Sequence, residues 1–370
     1  VESDAAQIDA NTTFALFFPE RRPFFQEGSD LYDSWVNAIY TRSINDPMWA
    51  GKLTGRTQGT STAVLVAQDE TSPIILPFEE RSSFIAGERS WSAIGRSRYT
   101  FGSANFVGAL GTFRALEGGG HNVVYGADSM LRFWKNFQFE GQLLVAHTEE
   151  STIGDPNGDL GGTFDGGRHT EALDGESFTG TAAYTSVEYH ARYLDADFDY
   201  WWTGPTFRAD NGFVTQNDNQ RATFWISPNW QPDNRVLDQA SIFAMVGAVW
   251  NSRGLQKDEW FRPELNFQFK SQTQLSGGYL WSNELFGGEQ LDGIERWDIH
   301  LNTRPIEYFD LWANYEQGKI VARNAEPPRL GDGKFFSTGV TLQPVARLSL
   351  EPSVNWQKLV DPSTGGTDTR

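Results

Sequence analysis

The stretch WFRPELNFQFK, from Trp260 to Lys270, indicates a β-strand because its side chains alternate in polarity. One face of the extended chain carries apolar residues: Phe261, Leu265, Phe267 and Phe269. The other face carries polar ones: Arg262, Glu264, Asn266, Gln268 and Lys270. Successive side chains of a β-strand point to opposite faces, so the stretch predicts a strand with one apolar and one polar side.

The same alternation recurs along most of the chain, in about 15 segments of mostly ten or more residues. A membrane-crossing strand needs about 9–11 residues, whereas the average globular strand has about 5–6. We therefore predict an all-β fold, a transmembrane antiparallel up-and-down β-barrel of about 16 or more strands with an N-terminal non-barrel segment. The predicted strands are 52–68, 89–102, 104–116, 121–134, 136–149, 179–193, 196–204, 219–230, 236–251, 258–270, 273–284, 293–303, 308–320, 334–343 and 345–359.

Short and long connections alternate between these strands, as periplasmic turns and external loops do in outer-membrane barrels. The long ones include 69–88, 150–178 and 285–292. The count ends on an odd strand followed by the loop-like DPSTGGTDTR, 361–370. Closed bacterial barrels usually have an even number of strands. We therefore expect one or more closing strands beyond Arg370.

Composition excludes several other classes of protein. The 370 residues carry a net charge of −18, which argues against a nucleic-acid partner, because phosphate binding needs a basic surface. The chain has no Cys, which excludes disulfides and thiol-ligated metals. No apolar run approaches the ~20 residues of a membrane helix. It contains no H-E-x-x-H, G-x-S-x-G or P-loop motif, so we predict no enzymatic activity.

The first 50 residues lack the alternation and contain a dense cluster of aromatic and charged side chains. They predict either a plug or partner-docking element, or a structural lid whose arginines and carboxylates anchor it to a polar barrel wall. The residues of this motif are Phe18, Pro19, Glu20, Arg21, Arg22, Pro23, Phe24, Phe25, Glu27 and Gly28.

LFFPERRPFFQEGSDLY (16–32), AIYTRSINDP (38–47) and AGKLTGRTQG (50–59) carry a resemblance to a known family. Together with VESDAAQI (1–8), HNVVYGAD (121–128) and FRADNGFV (207–214), they resemble the uncharacterised C-terminal outer-membrane β-barrel domain of bacterial envelope proteins. Those proteins often carry an N-terminal family-9-type carbohydrate-binding module. The chain reads PERR where the family pattern has PEKR.

The resemblance implies a barrel of the bacterial outer membrane with no established activity, and a carbohydrate-binding module, if present, before Val1. We divide the chain into a plug-like segment, 1–50, and a barrel, 51–370. Its partners are expected to be the lipid bilayer and lipopolysaccharide, with other envelope proteins or glycans as further possibilities.

Polar candidates outside the motif fall into two groups. His190, Glu264, His300 and Glu351 lie on the polar faces of predicted strands and are expected to line the lumen. Asp155, Asn157 and Asp159 have the D-x-N-x-D spacing of a calcium loop. Leu160 stands where such loops have Gly, and no Glu occupies the twelfth position. A solvated external loop is the alternative, and no other cofactor is expected.

Three functions remain open from the sequence. The first is a non-enzymatic outer-membrane pore, or an anchor for a periplasmic or surface module. The second is a carbohydrate-binding or carbohydrate-processing envelope protein whose glycan module precedes this chain. The third is a soluble secreted β-protein. The fold alone does not decide between them.

Overall fold

The computed structural model describes residues 17–85, 87–323, 325–345, 347–360 and 366–369. The motif VESDAAQI, 1–8, lies outside this range. The chain divides into two compact units, and each is described by itself. The first unit comprises 1–187, 199–221 and 251–254, and the second comprises 188–198, 222–250 and 255–370.

Strands make up most of the described chain. The helices are a single turn, α1 (Pro23–Gln26), and three 3₁₀ turns at Ser29–Leu31, Thr41–Ser43 and Asp165–Gly167. None of the helices in the described residues has the length and apolarity to cross a membrane. The strands are β1 (Pro47–Arg56), β2 (Thr60–Asp69), β3 (Ile74–Pro77), β4 (Ser82–Ile85), β5 (Ser90–Phe101), β6 (Asn105–Leu116), β7 (His121–Phe133), β8 (Phe137–Glu149), β9 (Thr163–Phe164), β10 (His169–Thr170), β11 (Ser177–Ala191), β12 (Leu194–Thr203), β13 (Asn219–Trp230), β14 (Leu237–Trp250), β15 (Gln256–Phe269), β16 (Thr273–Phe286), β17 (Glu289–Ile306), β18 (Phe309–Ala322), β19 (Arg329–Val345), β20 (Leu348–Leu350), β21 (Ser353–Val360) and β22 (Thr367–Thr369).

One sheet contains 18 of these strands, and two small hairpins, β3–β4 and β9–β10, stand apart from it. In the first unit β1 pairs with β2, β2 with β5, and β5 to β8 pair in sequence. In the second unit β14 to β19 pair in sequence, and every one of these pairings is antiparallel. Both β20 and β21 pair with β19, so they are two pieces of one interrupted strand. The predicted all-β, antiparallel up-and-down organisation is confirmed.

The structure corrects four predicted elements. The predicted strand 345–359 is interrupted between β20 and β21. The predicted strand 52–68 is a hairpin, because Gly59, with φ +81°, lets the chain reverse between β1 and β2. The predicted loop 285–292 is a turn at Gly287 and Gly288, whose positive φ angles suit a two-residue hairpin. The predicted trailing loop 361–370 contains β22, which pairs with β21. Tight glycine turns let strands extend into polar sequence that resembles a loop.

The first unit has a packed apolar interior on one face of its strands. Inward-facing residues of β2, β5, β6, β7, β8 and β11 are buried under the N-terminal segment, residues 17–46, and under residues 207–209. Leu65 and Ile94 pack with Phe25 and Ile44. Burial of a large apolar side chain stabilises a fold by about 1.5–3 kcal/mol. The N-terminal segment therefore belongs to the core of this unit.

The second unit shows two apolar rows that run across seven strands, β14 to β19 and β21. Residues directly opposite in antiparallel strands share a face, so the pairing register defines each row. Leu265 is 49% exposed and Ile299 is 53% exposed. The first row is Ile242, Leu265, Gly277, Ile299, Tyr315, Phe336 and Trp356. The second is Ala240, Phe267, Leu275, Leu301, Ala313, Thr338 and Val354.

Candidate functional site

The opposite face of the same seven strands carries two polar rows, which we call the polar wall. Each row alternates with an apolar row because neighbouring residues of a strand point to opposite faces. The first polar row is Ser241, Asn266, Ser276, His300, Asn314, Ser337 and Asn355. The second is Gln239, Gln268, Gln274, Asn302, Trp312, Gly339 and Ser353. The polar wall is the candidate functional site.

An ionic network meets the polar wall at His300 and contains two residues predicted from the sequence, Glu264 and His300. The Arg262 guanidinium lies 3.7 Å from Glu264 and 3.0 Å from Asp298. His300 Nε2 lies 3.3 Å from Asp298. The distance between His300 Nδ1 and Asn314 Oδ1 is 2.8 Å, which joins the network to the first polar row. Asp298 therefore links the two predicted residues.

Gly278 makes room for this network. It lies opposite Glu264 and Asp298 in the register, and a Cβ atom there would be 2.9 Å from Asp298 Oδ2. A side chain at this position would push the carboxylate away from its partners. Gly339 plays the same part for Trp312, because a Cβ atom would be 2.6 Å from the indole Nε1.

Two cavities open on this face. One, of about 390 Å³, is lined mainly by residues of the two polar rows, including Gln268, Asn302 and Trp312. The other, of about 450 Å³, lies beside Asn314, Ser337 and Asn355. Cavities of about 300–1,000 Å³ are typical of small-molecule sites. The polar wall can therefore accommodate small solutes.

The other two predicted lumen residues lie away from this network. His190 lies 3.0 Å from both Glu188 and Asp195, at the end of β11 and the start of β12. Glu351 lies in the interruption between β20 and β21, where its carboxylate accepts a hydrogen bond from Ser349 at 2.9 Å. Because Glu351 is outside the paired strands, strand pairing does not show which face of the sheet its side chain is on.

The N-terminal motif is held together by contacts within the N-terminal segment. Arg22 donates to Glu20 at 2.8 Å and to the carbonyl oxygens of Thr41 and Ile44. Burial alone would raise the pKa of Glu20, but hydrogen bonds from Arg22 and Thr41 lower that pKa to about 2. The Glu20–Arg22 pair thus folds the segment on itself.

The remaining motif residues lie around this pair. Phe25 is buried and Arg22 lies over its ring, 4.1 Å from the centroid. Pro23 begins α1, and Gly28 follows it with φ +69°, a left-handed conformation that favours glycine. The backbone amide of Phe18 donates to the Tyr40 hydroxyl, and Pro19 accepts a bond from Arg42. Arg21, Phe24 and Glu27 are exposed.

Side chains of the strands anchor the N-terminal segment to the first unit. The Trp35 indole donates to Glu140 at 2.7 Å, and the amide of Val36 donates to the Gln142 side chain at 2.7 Å. Lys52 donates to the carbonyl oxygens of Phe24 and Glu27. Buried backbone groups need such partners, so polar residues of the strands take the place of water.

The calcium-like triad Asp155, Asn157 and Asp159 is occupied by contacts within the protein. The Asp155 carboxylate accepts backbone hydrogen bonds from Gly158, Asp159 and Leu160 at 2.8–3.1 Å. Asn157 donates to the carbonyl of Phe84, and Asp159 accepts a bond from Ser83. These contacts fold the loop and engage both carboxylate oxygens of Asp155 and one of Asp159.

A different group of carboxylates has metal-compatible spacing among the described residues. Ligand atoms of Glu150, Asp174 and Glu176 all lie within 4.8 Å of one another. The Glu150 side chain is only 4% exposed and lies 3.4 Å from Arg208. Burial raises the pKa of Glu150 to about 7, and the positive charge of Arg208 counteracts this only in part. Glu150 is thus protonated over a wider pH range than an ordinary Glu.

Sequence reasoning missed several of these residues. Asp298 shares the parity of His300 on β17, so strand alternation alone could have identified it. Trp312 was missed because, in the sequence, an aromatic residue on the polar face of a strand looks like a residue of the apolar face. The grouping of Glu150 with Asp174 and Glu176 depends on how the loop 150–176 folds, and their spacing in the sequence gives no signal.

Comparison with solved structures finds similarity to several bacterial proteins. Acinetobacter baumannii OccAB3 has a TM-score of 0.45 and 10% identity, over 90% of this chain and 94% of that one. Pseudomonas aeruginosa OccK5 (OpdH) has a TM-score of 0.39 and 9% identity, over 86% and 92%. The outer membrane transporter YddB from Escherichia coli has a TM-score of 0.32 and 8% identity, over 90% and 58%. No family model and no curated protein sequence matches the chain.

Proposed function

We propose that this chain is a β-barrel of the bacterial outer membrane and acts as a pore for small polar solutes. The observation that carries the proposal is the alternation of apolar and polar rows across seven consecutive strands. Lipid-facing and lumen-facing residues alternate in this way along the strands of outer-membrane barrels.

Exposure of the apolar rows to water is unfavourable, so they need an apolar surface in contact with them. Apolar patches larger than a few hundred Å² are rare on soluble monomers and mark contact with a partner or membrane. These rows extend across strands of 14, 14, 14, 18, 14 and 17 residues, β14 to β19. Such strands exceed the 9–11 residues that a bilayer requires, so a lipid surface fits both the chemistry and the length.

Residues 1–50 are proposed as a plug-like element and residues 51–370 as the barrel. The described part of the first region, residues 17–46, covers the inward face of first-unit strands and is fixed there by Trp35, Val36 and the apolar core. These contacts describe a fixed element of the first unit rather than a gate that opens and closes. The polar wall of the second unit would supply the solute path.

Membrane anchoring without conduction is the second candidate. The observation that favours it is the extent of packing in the first unit, where apolar side chains such as Leu65, Ile94 and Leu144 are buried rather than facing an aqueous path. An anchor would hold another envelope module at the membrane, with no need of an open lumen. Conduction separates the two candidates.

The test is electrical recording from the purified chain in planar lipid bilayers. We expect stepwise, ohmic conductance that persists at low voltage, because a water-filled polar wall passes ions. Insertion without conductance would favour the anchor. If the chain stays monodisperse without detergent and binds no lipid vesicles, both membrane functions are wrong and a soluble β-protein is the better explanation.

A further inference from the structure

We infer that the polar wall binds a neutral, hydroxyl-rich solute of about the size of a small sugar, an inference that rests on the proposed pore. The wall has seven positions in each of its two rows, and none of them is Asp, Glu, Lys or Arg. His300 is its one titratable member. In a chain with 21% charged residues, this absence of charge across seven strands makes the wall chemically distinct.

The side chains of the wall suit hydroxyl groups. Asn and Gln amides donate and accept hydrogen bonds, and so do Ser hydroxyls, which matches a sugar hydroxyl that does both. The residues around the cavity of about 390 Å³ include Gln268, Gln274 and Asn302 in adjacent strands. A charged solute would lose hydration here without meeting an opposite charge, which is unfavourable.

The charges that border the wall beside His300 are paired with one another, and on the opposite border Lys270 and Arg304 donate to the backbone carbonyl oxygens of Asn234 and Glu307. Arg262 contacts Glu264 and Asp298, and Arg296 contacts Glu316 at 3.2 Å. The electrostatic field that these pairs produce at the wall is weak, because each cation lies beside a carboxylate of opposite charge. The bordering network therefore supports a neutral ligand.

Trp312 supplies an apolar surface within the wall. It is one of the residues that line the cavity, and Gly339 lies directly opposite it in the register. Because Gly339 has no side chain, the indole lies against the backbone of β19, with three ring atoms within 2.7 Å of where a Cβ would be. Ligand sites commonly combine an aromatic surface with a few placed polar groups, and a sugar ring offers C–H groups to the first and hydroxyls to the second.

The experiment measures binding and conduction in parallel. Maltotriose is the neutral probe, and trigalacturonate and triglucosamine are charged probes of similar size. Interruptions of single-channel current report entry, and calorimetry on the detergent-solubilised chain reports binding without conduction. We expect maltotriose to bind at least tenfold more tightly than either charged probe. Trp312→Ala should weaken maltotriose binding about five- to tenfold, and Gly339→Val should do the same by displacing the indole.

Phe309→Ala is the matched control, since Phe309 is an aromatic residue of the same strand on the face opposite Trp312 and lines neither cavity. It should leave maltotriose binding unchanged, and circular dichroism checks that each variant keeps its strands. Tighter binding of a charged probe, or equal binding by wild type and Trp312→Ala, would overturn the inference even if the pore conducts. Trp312-dependent binding without conductance would retain the inference and reject the pore. No binding together with no conductance rejects both.

Discussion

At the scale of single residues, neighbouring side chains on one strand face opposite environments. Leu265 is in an exposed apolar row and Asn266 is in the polar wall, although they are adjacent in sequence. The alternation in WFRPELNFQFK predicts this difference, because strand geometry depends only on parity. Parity also places Trp312 on the polar face, but the packing of its indole against β19 depends on the space that Gly339 leaves, which only the structure shows.

Leu265→Arg tests the environment of the apolar row. We expect this change to destabilise the chain in lipid by about 2–4 kcal/mol, because a cation near the bilayer midplane loses its hydration. The matched variant Asn266→Arg should change the free energy of unfolding by less than about 1 kcal/mol. Urea unfolding in lipid vesicles measures both. Equal costs for the two substitutions would contradict the assignment of faces.

Glu150 predicts a pH dependence of stability. Its pKa of about 7 lies above the ordinary value of 4.5, so the folded chain binds more protons than the unfolded chain between these pH values. Stability from this group is therefore greatest at low pH and falls as the pH rises through about 7. Glu150→Gln should raise the Tm at pH 8 by about 2 °C or more and leave it nearly unchanged at pH 4.

Thermal unfolding in detergent at the two pH values measures this effect. Arg208 keeps a carboxylate partner in the variant, because its Nε also donates to Asp210 at 2.6 Å. Glu149→Gln is the control, since that neighbouring side chain is 55% exposed. A Tm gain for Glu150→Gln of the same size at pH 4 and pH 8 would show that ionisation of Glu150 is not its cause.

At the scale of elements, most long strands were predicted within a few residues, but the turns at Gly59 and at Gly287–Gly288 were not. The strand 219–230 has the predicted bounds, whereas the hairpin of β1 and β2 was predicted as one strand. The turn at Gly287–Gly288 lies among Glu284, Glu289 and Gln290, residues whose polarity resembles that of a loop. Backbone pairing overrides side-chain polarity there, since the ladder supplies hydrogen bonds whatever the side chains are.

The N-terminal segment gives an element-scale prediction. The amide of Val36 donates to the Gln142 side chain, and Val36 is buried in the core of the first unit. Gln142→Ala removes this acceptor and should speed hydrogen exchange at Val36 about tenfold, which corresponds to a loss of about 1.4 kcal/mol in local protection. Amides of β14 to β19 should exchange as before. Hydrogen exchange with mass spectrometry measures both regions.

Gln58→Ala provides the control for that experiment, because Gln58 is exposed in the turn between β1 and β2, away from the N-terminal anchors. It should leave exchange at Val36 unchanged. Uniform acceleration over residues 17–46 in both variants would indicate a loosely held segment. Slow exchange at Val36 in Gln142→Ala would show that the apolar core holds the segment without this hydrogen bond.

At the scale of the whole molecule, the alternating strands of the fold explain why the mean hydropathy of the sequence is low. A mean hydropathy of −0.48 does not resemble a membrane protein, but an alternating strand spends only half of its residues on the apolar face. In β14 to β19 and β21 the apolar half forms continuous rows, because the pairing register aligns the apolar residues from strand to strand. Strand parity can be read from the sequence, but the register that joins the rows comes only from the structure.

Cysteine scanning tests this arrangement over the whole second unit. The chain contains no Cys, so single cysteines can be introduced without background and labelled with a nitroxide. We expect labels at Leu265, Ile299 and Phe336 to be accessible to oxygen in lipid and shielded from a water-soluble nickel complex. Labels at the adjacent positions Asn266, His300 and Ser337 should show the reverse. Each pair of positions serves as its own control, since the two residues are adjacent on one strand and lie at nearly the same depth in the membrane.

If lipid covers one face of the sheet and water the other, the label's accessibility to oxygen and to the nickel complex should reverse from each residue to the next along a strand. Residues paired across the strands should show the same accessibility. A soluble protein with a covered apolar face would instead shield the apolar positions from both reagents, with no effect of lipid. A loss of phase between β15 and β19 would mean that the paired register does not persist in the membrane. Agreement at all three pairs would establish that one continuous surface of this sheet faces lipid, because no single strand could produce it alone.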